Sequence, residues 1–334
     1  MRFDEWMDAA LYAPGTGFYE SGGAAGGARG DFITSPEVGP LFGAVVARAV
    51  ARWFGELDVV DGVVVEVGAG RGALAVSMLA AGLPDGARYV AVERSATLRA
   101  AASELLGDRA EVVATLDDVA PALGRAPGEP FDGVIVANEL LDNLPFRIVE
   151  RTDDGWAELH VDNDASAPTA LLCETDAFSS VLAPQSRLGQ RLPVLENAAA
   201  WVDGARRRLR RGRVLAFDYG VATTAELLDR QWLRTYSGHQ RGDDPFALPA
   251  GHADVTTDIA LDQLPEPAAV STQAEWLRRH GVDDLVAEGR RIWAERAHIG
   301  DLEAIRARSR VNEAEALLDS DGLGAFLVAE WDPV

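Results

Sequence analysis

The sequence predicts an α/β protein organised around a parallel β-sheet, and three observations support this prediction. Short apolar runs typical of buried strands recur between residues 63 and 137. Segments of helix length separate most of these runs, so that strand, helix and strand form right-handed βαβ units. A glycine-rich turn joins the first run to the first helix. The 334 residues, 48% of them hydrophobic, are enough to bury a sizeable core.

The elements of the first half are predicted from these apolar runs. A short amphipathic segment and a glycine-rich loop at 22–30 precede a predicted helix over 40–54. The apolar strand 63–67 and a helix over 72–81 follow. The remaining predicted elements of this half are a strand over 88–93, a helix over 96–106, and strands over 111–116 and 131–137.

The second half has a weaker pattern. We predict strands near 156–161 and 169–173, a helix over 195–211 and a strand over 214–217. The arginine-rich run 206–211 would then lie in the last turns of a helix, where cations interact favourably with the helix dipole. The remaining predicted elements are a loop over 238–251, helices over 272–280, 283–297 and 302–318, and a last strand within 324–331.

The basic residues and the cysteine count exclude several kinds of site. All 31 basic residues are arginine, which excludes the lysine of a P-loop and the Schiff-base lysine of pyridoxal enzymes. Cys173 is the single cysteine, so an internal disulfide and a multi-cysteine zinc site are excluded. We predict no metal site.

The formal net charge of −22 indicates which partners to expect. Such a charge repels nucleic acids and anionic membrane surfaces and suits a cationic ligand or a basic partner. A generally solvated acidic surface is the alternative explanation. The sequence has no run of eighteen apolar residues and no signal-peptide pattern at its start, and we expect no mitochondrial presequence. A cytoplasmic location is therefore expected.

The glycine loop after the first strand predicts a nucleotide-type cofactor. Gly68, Ala69, Gly70 and Gly72 follow a buried strand and open a helix, whose free N–H groups can face a ligand. This pattern suits both a nicotinamide dinucleotide and S-adenosylmethionine, since an acid such as Glu93 would hold ribose hydroxyls in either case.

Two acidic positions favour S-adenosylmethionine. Glu66 lies two residues before Gly68 in an otherwise apolar strand, and a buried carboxylate needs a partner such as the methionine ammonium. A pyrophosphate would be repelled there. Asp117 and Asp118 follow the third strand, where they either accept the adenine amino group or cap a helix.

The segment after the fourth predicted strand is the candidate reaction site, because ligands of open α/β sheets bind at the carboxyl ends of strands. It contains the carboxylates Glu139 and Asp142 and the amides Asn138 and Asn143, but no histidine, cysteine or serine. This set suits positioning of a cation or a polarisable nucleophile.

Several motifs resemble those of the MidA-like methyltransferases, relatives of the mitochondrial complex I assembly enzyme that methylates an arginine. They occur in the expected order over nearly the whole chain, at residues 10–19, 30–37, 66–72, 92–95, 138–145, 217–220 and 272–277. The resemblance implies a class I, S-adenosyl-L-methionine-dependent methyltransferase with a Rossmann-like seven-stranded sheet. It also implies an N-terminal cover over 1–58 and a methyltransferase domain over 59–334, with insertions near 156–193 and 221–280.

The resemblance also implies roles for individual residues. Asn138, Glu139 and Asp142 would lie beside the transferable methyl group as catalytic residues. Gly30, Asp31, Thr34 and Arg94 would line the cofactor pocket together with the glycine loop, Glu93 and the pair Asp117 and Asp118. The predicted acceptor-side residues are Glu37, Pro145, Asp218, Tyr219 and His239.

Three departures from the family pattern leave the acceptor open. Asp258 stands where the family has a histidine, Ala260 where it has an acid, and Asn143 where it has an alanine. An arginine guanidinium stays protonated, with a pKa above about 12, so its methylation needs carboxylates that hold it and accept a proton. Glu139 and Asp142 are the candidates, then Glu37, unless arginines of this chain pair with them.

We therefore predict a methyltransferase acting on an arginine or another basic group of a protein or peptide. A small-molecule O- or N-methyltransferase is the first alternative, with Tyr219 or His239 as a base for a hydroxyl nucleophile. A cofactor-binding assembly factor without turnover and a nicotinamide dehydrogenase are the others.

Overall fold

A computed structural model describes residues 1–21, 34–162, 169–175, 186–238 and 240–334. The predictions for Gly30, Asp31, His239 and the loop at 22–30 lie outside the described residues. The helices, in chain order, are α1 Phe3–Tyr12, α2 Ser35–Val38, α3 Pro40–Glu56, α4 Ala73–Ala81, α5 Ala96–Leu106, α6 Val119–Ala122, α7 Glu196–Arg208, α8 Gln273–Arg279, α9 Val282–Arg296 and α10 Leu302–Leu317.

Short strands outnumber helices in the described residues. They are β1 Val63–Val67, β2 Arg88–Val92, β3 Glu111–Val113, β4 Phe131–Asn138, β5 Arg147–Arg151, β6 Trp156–Asp162, β7 Thr169–Thr175, β8 Arg191–Val194, β9 Leu209–Asp218, β10 Gly220–Val221, β11 Leu233–Ser237, β12 Gln240–Gly242, β13 Asp254–Thr257, β14 Ile259–Ala260, β15 Ala269–Thr272 and β16 Leu327–Trp331.

The chain forms two compact units. We call the first the small-sheet unit; it comprises the described residues of Met1–Phe32, Glu139–Ala205 and Asp218–Pro267. The second, the seven-stranded unit, comprises those of Ile33–Asn138, Arg206–Phe217 and Ala268–Val334. The domain division predicted at residue 58 is not tested by these units and stays a prediction.

The seven-stranded unit confirms the predicted α/β fold. Its strand order is β15-β16-β9-β4-β1-β2-β3, in which β1 pairs in parallel with β2 and β4. All five residues of β1 are buried, as expected for a strand covered on both faces. Phe217 of β9 packs edge-on against Phe42 of α3 and Trp276 of α8, each at 5.0 Å between ring centroids. Apolar helix faces and the sheet thus share one core.

The small-sheet unit contains three small sheets. Strands β7-β6-β5-β8 and β12-β11-β13 are antiparallel, and β10 pairs with β14 in parallel. Its core contains the aromatic side chains of Phe3 and Phe146, whose ring centroids are 5.5 Å apart. Strands near 156–161 and 169–173 were predicted from the sequence, but β5, β8 and β10–β14 were missed.

The prediction that residues 206–211 lie in a helix holds for 206–208 and is wrong for 209–211. Helix α7 ends at Arg208 and β9 begins at Leu209. Arg210 and Arg211 pair with Asp132 of the neighbouring β4, at 2.9 and 2.7 Å, so cross-strand ion pairs stabilise the extended backbone.

Two smaller predictions also need correction. The third strand ends at Val113 rather than at residue 116. Residue 116 instead begins a turn over Leu116–Asp118. The loop predicted over 238–251 contains β12. Within the described ranges, no helix is long and apolar enough to cross a membrane.

Candidate active site

The glycine loop connects β1 to α4 in the seven-stranded unit. Gly68, Gly70 and Gly72 have φ angles of 74°, 54° and 89°, a region that glycine adopts at little cost. The main-chain N–H groups of Gly68 and Ala69 donate to the Val92 carbonyl at 2.9 and 3.1 Å. The loop is therefore held against the end of β2.

Glu93, the first residue after β2, holds the loop through its side chain. It is buried, and its two carboxylate oxygens each accept a main-chain hydrogen bond of 2.8 Å, from Gly70 and from Ser95. A carboxylate offers about four lone-pair positions, so Glu93 can still accept ribose hydroxyls. Arg94, predicted to line the same pocket, is exposed.

Glu66 lies buried in β1 and accepts a hydrogen bond of 2.7 Å from the Tyr89 hydroxyl. Burial raises the pKa of Glu66 to about 8, although the Tyr89 hydrogen bond opposes this shift. The sequence suggested the cofactor ammonium as the partner of this carboxyl. The structure places a tyrosine donor within the chain, and the ammonium contact stays a prediction.

The loop geometry fits a cofactor that approaches closely. Apart from the neighbours of Gly70 in the chain, no heavy atom of the described residues lies within 4 Å of the place that a Cβ on Gly70 would occupy. Together with the N-terminus of α4 and the Glu93 carboxylate, this space suits S-adenosylmethionine. Contacts of its ribose with Glu93 and of its ammonium with Glu66 stay predictions.

Asp118 and Asp117 have partners within the chain. Asp118 accepts from the main-chain N–H and the hydroxyl of Thr115, at 2.9 and 2.7 Å, which is the capping alternative considered above. Asp117 forms an ion pair with Arg208. Their contact with adenine stays a prediction.

Thr34 and Glu37 form a capping box at the start of α2, where the Glu37 carboxylate accepts from the Thr34 N–H at 3.4 Å. Glu37 thus has a local partner, and its predicted role toward the acceptor remains untested. Asn138 is the last residue of β4. The predicted catalytic segment follows it directly in the chain.

Glu139 has a φ of 51°, which is uncommon for a residue other than glycine. Strained backbone of this kind clusters at active sites and ligand clamps. The next turn, Leu141–Asn143, is held by Asp218, whose carboxylate accepts from the N–H groups of Leu141 and Asp142 at 2.8 and 3.2 Å. Asp218 therefore orients the segment rather than facing solvent.

Asp142 is buried, and its two oxygens differ. Oδ2 accepts from the hydroxyl of Tyr219, which also hydrogen-bonds to Thr256 Oγ1 at 2.6 Å. Oδ1 is buried and has no hydrogen-bond partner among the described residues. Burial raises the pKa of Asp142 to about 7, against the Tyr219 hydrogen bond. This carboxyl can gain or lose a proton near neutrality.

A second hydrogen-bond network lies in the same unit. The Tyr19 hydroxyl lies 2.9 Å from Asn143 Oδ1 and 3.0 Å from Asp254 Oδ2. Asn143 Nδ2 donates to Asp254 Oδ1 at 2.8 Å. The asparagine that replaces the family alanine thus joins this network.

Asp258 is fully buried and forms ion pairs with Arg234 and with Arg230, the latter at 3.0 Å. Arg230 and Arg234 therefore pair with Asp258 and not with Asp142. The hydrogen-bond partner of Asp142 is Tyr219. Pro145 is half-buried, and its carbonyl accepts from Asn197 at 2.6 Å.

The structure thus brings Asp142, Asp218 and Tyr219 together in one cluster. The sequence reasoning missed Tyr19, Thr256, Asp254 and Arg234. Two signals pointed to them: Tyr19 lies in a motif shared with the resembled family, and Asp254 and Thr256 lie in the run where the family pattern departs.

Comparison with known proteins points to one family. A family model described as "Putative S-adenosyl-L-methionine-dependent methyltransferase" matches residues 45–279. The proteins named protein arginine methyltransferase NDUFAF7, mitochondrial, of Danio rerio and Rattus norvegicus are 28% and 27% identical to this chain. The alignments cover 84% and 78% of this chain and 72% and 64% of those proteins, so the chain spans less than two thirds of the rat protein.

Solved structures agree with the family match. A crystal structure of a protein from Burkholderia thailandensis bound to S-adenosyl-homocysteine has a TM-score of 0.78 and 28% identity to this chain. The similarity covers 99% of this chain and 87% of that one. The native structure of a protein from the same organism gives a TM-score of 0.79 over the same shares.

Proposed function

The chain belongs to this family of S-adenosyl-L-methionine-dependent methyltransferases, and we propose that it methylates an arginine, or another basic group, of a protein. The observation that carries the proposal is Asp142 Oδ1, which is buried and has no hydrogen-bond partner among the described residues, near the carboxylates of Asp218 and Asp254. A cluster rich in carboxylates favours a cationic acceptor.

The chemistry of a guanidinium acceptor fits this cluster. S-adenosylmethionine, when bound, supplies an electrophilic methyl group on a positively charged sulfur. The guanidinium nitrogen is a poor nucleophile while protonated, so a proton must leave as the new bond forms. Glu139 and Asp142 would hold the group by charge-assisted hydrogen bonds and localise its charge. Asp142 Oδ1 would accept the proton, and its pKa of about 7 suits a base at neutral pH.

Two further facts support a protein acceptor. The relatives reported above are named protein arginine methyltransferases. The net charge of −22 also favours association with a basic protein over association with nucleic acid.

The test is methyl transfer from labelled S-adenosylmethionine to basic protein fractions, followed by acid hydrolysis and identification of the methylated amino acid. We expect methylarginine, and we expect Asp142→Asn to lower its formation by about 10²- to 10⁴-fold while S-adenosylhomocysteine affinity stays within about twofold. Asp154→Asn makes the same charge change at an exposed turn of the same unit and should act like the parent.

Label confined to small molecules would favour the small-molecule alternative. Cofactor binding without transfer to any acceptor, and full function of Glu139→Gln in partner binding, would favour an assembly factor.

A further inference from the structure

A line of contacts leads from Asp258 to Asp142 within the small-sheet unit. Asp258 has no exposed surface, and the proposed chemistry does not use it. One of its carboxylate oxygens forms an ion pair with Arg234 and the other with Arg230, at 3.0 Å for the second. A buried carboxylate that holds two arginines needs a reason, since burying charges is costly even when they are paired.

Arg234 provides the next step. Its guanidinium lies over the ring of Tyr219, 4.6 Å from the ring centroid, in cation–π geometry. Its side chain is only 12% exposed, so the arginine is held between Asp258 and Tyr219 rather than free in solvent. Arg234 also lies opposite Thr256 in the β11–β13 pairing.

Tyr219 makes the last step. Its hydroxyl hydrogen-bonds both to Asp142 Oδ2 and to Thr256 Oγ1. A phenol has one O–H proton. When Tyr219 donates it in the hydrogen bond to Asp142, the Thr256 hydroxyl is the donor in the hydrogen bond between Thr256 and Tyr219. The O–H bond of a phenol lies in the plane of its ring, so that plane decides the direction in which the proton can point, and Arg234 packs on it.

We propose that Asp258 is a positioning residue for the methyl-transfer site. It holds Arg234 against the ring of Tyr219. Through Arg234 it fixes the orientation of the hydroxyl that donates to Asp142, and it keeps a positive charge near the Asp142 carboxyl. The expected effect of Asp258 on the reaction rate rests on the proposed role of Asp142 as proton acceptor. The arrangement itself is independent of the acceptor.

The charges around Asp142 give the proposal a sign. Arg234 lowers the pKa of Asp142, whereas Asp254 and Asp258 raise it. Neutralising Asp258 should release Arg234 from the ring of Tyr219, and because Arg234 acts on the pKa of Asp142 more strongly than Asp258 does, the carboxyl should ionise at higher pH. If Arg234 stayed in place, loss of the Asp258 charge alone would lower that pKa. Neutralising Arg234 should raise the pKa further, since Asp258 then still acts on the carboxyl. The groups that act on Asp142 from the surrounding elements are Tyr19, Asp218, Tyr219, Arg234, Tyr236, Asp254 and Asp258, and Glu139 acts on Asp218.

The test uses 3-fluorotyrosine at position 219 of the full chain and follows its ¹⁹F NMR shift with pH. In the parent we expect a titration near pH 7, since the fluorinated ring donates to Asp142. Arg234→Gln should move the midpoint up by about 0.5 to 1 pH unit, and Asp258→Asn should move it in the same direction by a smaller amount. Asp258→Glu, which keeps the charge, should restore the parent midpoint.

A purely structural role for Asp258 predicts otherwise. A midpoint that stays fixed or moves down in Asp258→Asn would mean that Arg234 keeps its place without Asp258 and would overturn the proposal, as would an unmoved midpoint in Arg234→Gln. Calorimetric binding of S-adenosylhomocysteine and far-UV circular dichroism establish that each variant is folded. If Asp258→Asn does not fold, Arg234→Gln and Asp258→Glu decide the question: an unmoved midpoint in the first, or a moved one in the second, overturns it.

The activity arm separates this proposal from the proposed function. The acid limb of the kcat profile against pH should move in the same directions as the ¹⁹F midpoints, with KM for the cofactor unchanged. Midpoints that move up in both neutral variants while the kcat profile stays fixed would support the positioning contact and contradict Asp142 as the proton acceptor.

Discussion

The two units each contain a buried carboxyl that accepts a hydrogen bond from a tyrosine. In the seven-stranded unit Tyr89 donates to Glu66, and in the small-sheet unit Tyr219 donates to Asp142. Burial is the largest cause of the raised pKa in both, to about 8 for Glu66 and about 7 for Asp142. Each unit thus contains a buried carboxyl paired with a tyrosine hydroxyl.

The surroundings of the two pairs differ. The further charge acting on Glu66 is another acid, Glu93, which raises its pKa. Asp142 faces the acids Asp218, Asp254 and Asp258 but also Arg234, which favours its ionised form. A carboxyl without a resident cation suits binding of a cation that arrives with a ligand. A carboxyl balanced between acids and an arginine suits proton exchange. We therefore assign the first pair to the cofactor and the second to the acceptor, and three predictions test this assignment.

The largest effect is expected for Gly70→Val in the cofactor loop. Valine at a φ of 54° is strained, and its side chain would fill the open space beside the loop. We expect S-adenosylhomocysteine affinity to fall by about 10³-fold in calorimetric titrations. Gly107→Val is the matched control, because Gly107 has a φ of 57° and equally open surroundings. Equal losses in both variants would mean that strain alone, not occupation of the site, explains the result.

The next effect concerns the pH dependence of cofactor binding. If the ligand ammonium binds ionised Glu66, binding must release the proton that the free carboxyl holds below its pKa of about 8. Affinity for S-adenosylhomocysteine should therefore rise by up to about tenfold per pH unit from pH 6 to 8 and then level off. Calorimetry in buffers of different ionisation enthalpy measures the released proton directly. Glu66→Gln should bind S-adenosylhomocysteine weakly and without this dependence on pH. If binding to the parent shows no such dependence, the ligand ammonium does not bind ionised Glu66.

The smallest effect is on stability without cofactor. The pKa of Glu66 is higher in the folded chain than its ordinary 4.5, so its contribution to stability is complete below about pH 4.5 and is lost as pH rises toward 8. Glu66→Gln stays neutral and can still accept from Tyr89. Its free energy of unfolding should exceed that of the parent by about 2 kcal/mol at pH 6 and match it near pH 4, as urea titrations can measure. A variant that is less stable at both pH values would show that the ionised carboxylate is well compensated.

The two units also differ in how far the sequence predicts them. Strand β1 and the glycine loop form from contiguous residues, so apolar runs and three glycines predict them locally. Glu66 is conspicuous because it is the one acid in an apolar strand. The partner of that acid, Tyr89, belongs to the adjacent strand and was not predicted.

The acceptor cluster depends on residues far apart in the chain. Tyr19 meets Asn143 across 124 positions and Asp254 across 235. No local pattern encodes such contacts, because they depend on how short strands of low apolar periodicity pair. The departure at Asp258 was visible in the sequence, but its partners Arg230 and Arg234 required the structure.

The most direct test of the division between the units compares Tyr89→Phe with Tyr219→Phe, each of which removes one hydroxyl. Both hydrogen bonds lower the pKa of their carboxyl, so each loss leaves less carboxylate at pH 7. Tyr89→Phe should weaken S-adenosylhomocysteine binding by about three- to tenfold with kcat at saturation nearly unchanged. Tyr219→Phe should lower kcat by at least as much, move its acid limb to higher pH and leave that binding unchanged. Loss of cofactor binding in Tyr219→Phe, or loss of kcat alone in Tyr89→Phe, would contradict the assignment.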